Sequence, residues 1–133
     1  MTSRDLIEDY FSSCSNGTAA DISAHFTANA VIYDSNVRPI QGNESVGEMW
    51  VKVRERWGGA VWTVDSCIAE EDPNEAVAAI EWSMTGTDPS SESDFVFRGS
   101  EHYRFVDDLI DEIRQYWTFD PSKLDTGLLG YEH

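Results

Sequence analysis

HFTANAVIYDSNVRPIQG, residues 25–42, is the stretch whose reading decides the fold. Its centre, "AVIY" at 30–33, is a strand by residue type: small, β-branched and aromatic. That strand runs into Asp34, and turn chemistry follows at Ser35-Asn36, Arg38-Pro39 and Gly42. An apolar strand that ends on a carboxylate has two readings. Asp34 caps a surface turn by bonding into Ser35-Asn36, or it sits at the mouth of a cavity and works there.

Working outward, the N-terminal side reads as helical. Thr2 or Ser3 can cap a first helix with Asp5 in its first turn, and Leu6, Ile7, Tyr10, Phe11 and Cys14 form one apolar face. "SNG" at 15–17 ends it, and Thr18 can cap a short second helix that turns Ile22 and Phe26 inward. After Gly42, with Asn43 as the expected cap, Val46, Met49 or Trp50, Val53 and Trp57 recur at helical spacing until Gly58-Gly59.

From residue 60 the period becomes two. "AVWTVDSCIAE" is expected to place Trp62, Val64 and Ile68 on one face. "AVAAIEWSMTG" places Ala78, Ile80, Trp82 and Met84 on one side. "DFVFRGSEHYRFV" puts Phe95, Phe97, Gly99, Glu101, Tyr103 and Phe105 together, with Arg98, Ser100, His102 and Arg104 opposite. "LIDEIRQYWTF" forms the last long strand, with Ile113, Gln115 and Trp117 sharing a face. Helices followed by strands joined through short turns predict an α+β layout with the helices over one sheet face.

Length and charge narrow the function. At 133 residues the chain is one domain, 1–133, with an irregular C-terminal tail at 119–133. That tail holds Leu124, Leu128, Leu129 and Tyr131, so it is expected to pack on the body or on a neighbour. A net charge of −16 repels phosphate backbones and anionic lipid, which argues against nucleic acid and membrane partners. Cys14 and Cys67 show neither a disulfide framework nor zinc spacing, and read as reduced thiols. The N-terminus has no apolar signal core and no segment approaches a membrane span, so a cytoplasmic location is expected.

Strand parity then isolates Glu101, an acid on the same side as four aromatics. A carboxyl group buried there must be neutral, paired or hydrogen-bonded. An ion pair with Arg38, or a bulge at Gly99 that rotates it outward, would account for it without function.

Helix-helix-strand-helix followed by long antiparallel strands resembles the NTF2-like cone fold over residues 3 to about 119. That fold implies a curved antiparallel or mixed sheet covered on one face by three N-terminal helices. The resemblance is carried by "HFTANAVIYDSNVRPIQG" and by "NGTAADISAHF" at 16–26. The superfamily includes ketosteroid isomerases, limonene-epoxide hydrolases, scytalone dehydratases and SnoaL-type polyketide cyclases, so the resemblance implies a fold more sharply than a chemistry.

Three positions are similar to the ketosteroid isomerase branch: Tyr10 in "IEDYF", Asp34 in "IYDSN" and Glu101 in "SEHYRF". In two places the chain departs from that pattern, with Glu101 where the isomerases have aspartate and Ser35 where they usually have proline. The resemblance implies proton transfer next to a carbonyl, with Asp34 as base and Tyr10 and a neutral Glu101 as donors to the developing enolate oxygen. It implies a small hydrophobic substrate, no metal or organic cofactor, and a homodimer through the outer sheet face. Ile80, Trp82, Met84, Phe97, Gln115 and Trp117 are the expected substrate-binding residues.

Two other readings stay open. One is an epoxide hydrolase or cyclase of the same fold, for which Gln115 supplies no base. The other is a ligand-binding or dimerising module with an idle pocket. His102, by parity with Arg98 and Arg104, is a surface or interface residue.

Overall fold

A computed structural model describes residues 1–118. The apolar tail lies outside the described residues. Helix α1, Ser3–Asn16, starts at a reciprocal cap: Asp5 N donates to Thr2 Oγ1 at 3.2 Å and Thr2 N donates to Asp5 Oδ2 at 2.9 Å. Its buried face is Ile7, Tyr10, Phe11 and Cys14, and it stops at Gly17. Thr18 and Asp21 repeat the same cap for α2, Ala19–Ser23.

Strand β1, Phe26–Asp34, begins four residues before the "AVIY" run. It is followed by the short β2, Ile40–Gln41, and by α3, Asn43–Arg56. The cap of α3 differs from expectation. Gly42 occupies the N-cap at φ 88°, a backbone region that glycine enters freely. Asn43 is already helical, and its Oδ1 accepts from Glu44 N at 3.0 Å. Gly58 and Gly59, both left-handed, end the turn after α3.

The remaining strands are β3, Val61–Glu70; β4, Glu75–Thr87; β5, Asp94–Val106; and β6, Leu109–Trp117. They join β1 and β2 in an open, curved sheet of order β2-β1-β6-β5-β4-β3. The β1–β6 pair is parallel and every other pair is antiparallel. The sheet is therefore mixed, and its last strand returns to lie beside its first. Helix α1 lies against β3, and α3 lies against β1 and α2. The expected inward faces of β4, β5 and β6 are buried, including Ile80, Trp82, Met84, Phe97, Tyr103, Phe105 and Ile113.

On β3 the expected alternation breaks. A register shift between Val64 and Ser66 inserts one extra residue, so every side chain beyond it changes face. Cys67 now shares the inward row with Ile80, and Ile68 is 79% exposed on the outer face. On that outer face Arg104 pairs with Asp111 at 2.7 Å and Glu112 at 3.5 Å, while Glu81 accepts from Ser66 Oγ at 3.1 Å.

Candidate functional site

The parallel return of β6 sets one row across the inner sheet face: Asp34 on β1, Gln115 on β6, Glu101 on β5 and Ile80 on β4. Asp34 and Glu101 are thus two strand spacings apart, roughly 10 Å between backbones, with Gln115 between them. No bulge occurs at Gly99, where the β4–β5 register runs unbroken, and among the described residues no ion pair reaches Glu101.

Asp34 is half-buried and held by three N–H donors. Gln115 Nε2 and Trp117 Nε1 each donate to Oδ2 at 2.8 Å, and Asn36 N donates to Oδ1 at 2.7 Å. The turn and the cavity readings of this residue are therefore both present in the geometry. The loop is tied to the same strand end, because Ser35 Oγ donates to Trp117 O at 2.9 Å and Trp117 N donates to Ser35 Oγ at 3.1 Å. A carboxylate offers about four lone-pair positions, so three N–H bonds leave roughly one for another proton.

Asp34 lines a cavity of about 170 Å³. All five tryptophans, Trp50, Trp57, Trp62, Trp82 and Trp117, line it, with Met49, Met84, Val53, Ile32, Val37, Ile40 and Gln115. Of the expected substrate-binding residues, Trp82, Met84, Gln115 and Trp117 are in this wall. Ile80 and Phe97 are buried on the same sheet face, outside the lining, with Phe97 packed 5.7 Å from the Trp117 ring.

Tyr10 and Glu101 meet at a second, much smaller void of about 10 Å³, with Cys14 and Phe11. Trp50, Trp62, Trp82 and Gln115 border both hollows and form the wall between them. Glu101 is 2% exposed. Its Oε1 accepts from Tyr103 OH at 3.2 Å and its Oε2 has no partner. Tyr10 OH, Trp50 Nε1 and Trp82 Nε1 are also buried without hydrogen bonds. A buried polar atom left unpaired costs about 1–3 kcal/mol. Four such atoms belong to side chains around one void, and the space has room for roughly one water-sized oxygen.

Burial pushes the Glu101 carboxyl up to about 8; the charge on Asp34 adds to this and the bond from Tyr103 opposes it. Burial likewise pushes the Tyr10 hydroxyl well above its usual range. At neutral pH both groups hold their protons and are donors.

Gly99 makes room for the Trp82 ring. A Cβ there would stand 2.5 Å from Trp82 Cζ2 and 2.8 Å from Tyr116 O. Gly99→Ala is expected to destabilise the fold by about 1–3 kcal/mol and to shift the tryptophan fluorescence, as read by thermal melting and emission spectra. Unchanged melting would place the Trp82 ring elsewhere.

The contributions of Trp50, Trp57 and Trp62 to the cavity were not evident from residue pattern, because a helix face and a strand face that meet a void look the same as faces that meet a core. The usable signal was a run of Met49, Trp50, Val53 and Trp57 along one side of α3.

A wider hollow of about 490 Å³ lies on the outer sheet face, bordered by Ile68, Val77, His102, Arg104 and Arg114. None of the orphaned atoms around Glu101 belongs to it. Among the described residues, no helix is long and apolar enough to cross a membrane.

Comparison with known proteins agrees with this architecture. The search of curated proteins finds no match. Among solved structures, a protein of unknown function with a cystatin-like fold from Methylobium petroleophilum PM1 is similar at 26% identity and TM-score 0.71, over 88% of this chain and 76% of that one. A protein with a ketosteroid isomerase-like fold from Catenulispora acidiphila DSM 44928, in complex with trimethylamine, is 13% identical at TM-score 0.75, over 89% and 88%. The epoxide hydrolase/cyclase-like enzyme SalBIII, with a role in pyran ring formation in the polyether salinomycin, is 17% identical at TM-score 0.71, over 87% and 90%. The SnoaL-like domain family matches residues 7–113 of this NTF2-like fold, and the chain therefore belongs to that family.

Proposed function

We propose that this protein is a small-molecule enzyme that moves a proton next to a carbonyl without an organic cofactor. The observation that carries the reading is the split between its two acids. Asp34 presents a pinned carboxylate to the cavity, while Glu101 sits neutral behind the wall with an unused oxygen beside the unused Tyr10 hydroxyl.

In this reading Asp34 takes a proton from the carbon next to the carbonyl. The electron pair moves onto the carbonyl oxygen, and Tyr10 and Glu101 donate to the enolate so formed. The proton then returns to the same or a neighbouring carbon. The reading requires the two hollows to join, and Gln115, one of the four residues of the wall between them, is the side chain that would turn aside. It cannot itself act as a base, which weighs against the hydrolase and cyclase readings.

The cavity, at about 170 Å³, has room for roughly six waters' worth of liquid. That size supports a substrate of one ring or a short chain. The fold neighbour crystallised with trimethylamine is in keeping with a compact ligand.

The test is hydrogen–deuterium exchange at the carbon next to the carbonyl, followed by NMR for a panel of small ketones in heavy water. Exchange well above the buffer rate is expected for at least one compact ketone. Exchange at the buffer rate throughout the panel would leave the pocket as a binding site alone.

A second copy of this chain is the proposed partner for the outer sheet face. Exposed Ile68 and Val77 sit there among charges of both signs, on a chain that is otherwise strongly acidic.

A further inference from the structure

The cavity walls carry more tryptophan than a hydrocarbon ligand requires. Every tryptophan of the chain borders this one hollow. Their rings stand at steep angles to one another or to neighbouring aromatics: Trp50 and Trp62 at 79° and 5.3 Å, Trp82 and Trp117 at 59° and 6.1 Å, Trp57 and Phe97 at 76° and 5.3 Å. Neighbouring rings at such angles can each offer a face to one space, as two walls of a corner do. The face of an indole is its electron-rich side and is the strongest aromatic partner for a cation. One of these rings already shows that affinity, because the Arg56 guanidinium lies 4.5 Å from the Trp57 ring centroid.

The charges of the wall have one sign. Asp34 is its carboxylate, and no lysine or arginine is among its lining residues. The whole chain, at −16, raises the local concentration of cations. A strongly hydrated ion such as sodium gains little from such walls, since they offer few oxygen atoms to replace its water. An alkylated ammonium group carries its charge on a methyl-covered, weakly hydrated surface that suits indole faces.

We propose that the ligand of this cavity carries a small alkylated ammonium group, a tertiary or quaternary amine cation, held against the tryptophan faces with Asp34 as its counter-charge. This names the ligand class of the cavity described above. It rests on that cavity being the ligand site and not on Asp34 moving a proton.

The experiment compares choline with its neutral isostere 3,3-dimethyl-1-butanol, by calorimetry and tryptophan fluorescence at fixed ionic strength. The two differ by one nitrogen for one carbon, so their apolar burial is matched. Choline is expected to bind at least ~10-fold more tightly, with a change in tryptophan emission. In Asp34→Asn the ratio of the two affinities is expected to shrink, and a ratio kept at the parent value would remove Asp34 as the counter-charge. Equal affinity for the two probes, or no choline binding up to about 10 mM, would overturn the inference. The outcomes separate from those of the exchange assay. Ketone exchange without choline binding removes the ammonium ligand and keeps the proton transfer; choline binding without exchange does the reverse.

Discussion

Asp34→Asn is expected to lower ketone exchange by about 10²- to 10⁴-fold while leaving the fold intact. The substitution keeps the size of the side chain. Its amide oxygen can still accept from Gln115 and Trp117, which bond the same carboxylate oxygen at 2.8 Å each. The bond from the Asn36 amide goes to the other carboxylate oxygen, which becomes the NH2 group, so this exposed turn bond is lost at a cost of about 0.5 kcal/mol. What is lost to the chemistry is the lone pair able to carry away a proton. Exchange rates by NMR, read beside circular dichroism melting, check both halves, with a melting temperature expected within about 3 °C of the parent. Parent-like exchange in the variant would assign the base to another residue.

Glu101 is expected to give the largest stability effect. Its carboxyl group titrates at about 8 in the folded chain against an ordinary value of 4.5, chiefly through burial. The folded chain therefore keeps a proton that the unfolded chain releases. Below pH 4.5 both states hold it, and the stability is fully present. Between there and about pH 8 stability falls, at up to ~1.4 kcal/mol per pH unit, and above that it levels. Across the window the loss is on the order of 5 kcal/mol, a large share of the 5–15 kcal/mol typical of a domain.

Glu101→Gln removes the titration and is expected to flatten this slope, so that the variant is the more stable protein at pH 8. Denaturant titrations of both proteins from pH 5 to 9 measure the difference. Taking that difference cancels other titrating groups, including His25, whose partly buried ring is shifted down. Glutamine also keeps an N–H donor beside Tyr10. Glu101→Gln is therefore expected to retain more exchange activity than Glu101→Ala, and equal losses would rule out the donor role. Identical pH slopes in parent and Glu101→Gln would show that the buried acid is charged.

Much of this site was legible in residue order because strands alternate strictly. Parity alone put Glu101 among aromatics, and the coordinates keep it there. Residue type alone ended β1 on Asp34. Residue type also offered Thr2, beside Ser3, and Thr18 as helix caps, and the structure uses the two threonines, each completed by an aspartate three residues on.

What parity could not supply were the places where one residue more or less changes the answer. The extra residue near Asp65 sent Ile68 outward, and nothing in "TVDSCI" announces it. At α3 a flexible glycine took the cap that Asn43 suggested, because the chain leaves β2 in a conformation that favours glycine. The bond from Trp117 to Asp34 joins residues 83 apart and depends on which strands become neighbours. So does the wall that separates Tyr10 and Glu101 from the Asp34 cavity, which is built from two strands, one helix and the last strand at once.

The parallel seam between the first and last strands also bears on how the protein is made. Strand β1 has two neighbours, the two-residue β2 and the late β6. As the chain emerges from the ribosome, β1 can pair fully only after residue 117 has followed it out. Contacts that span so much of the chain close slowly. Until then a hydrophobic edge and an unpinned Asp34 wait in the nascent polypeptide. Ribosome-bound chains truncated before β6 should be open to proteolysis around residues 26–34, and chains that include it should resist.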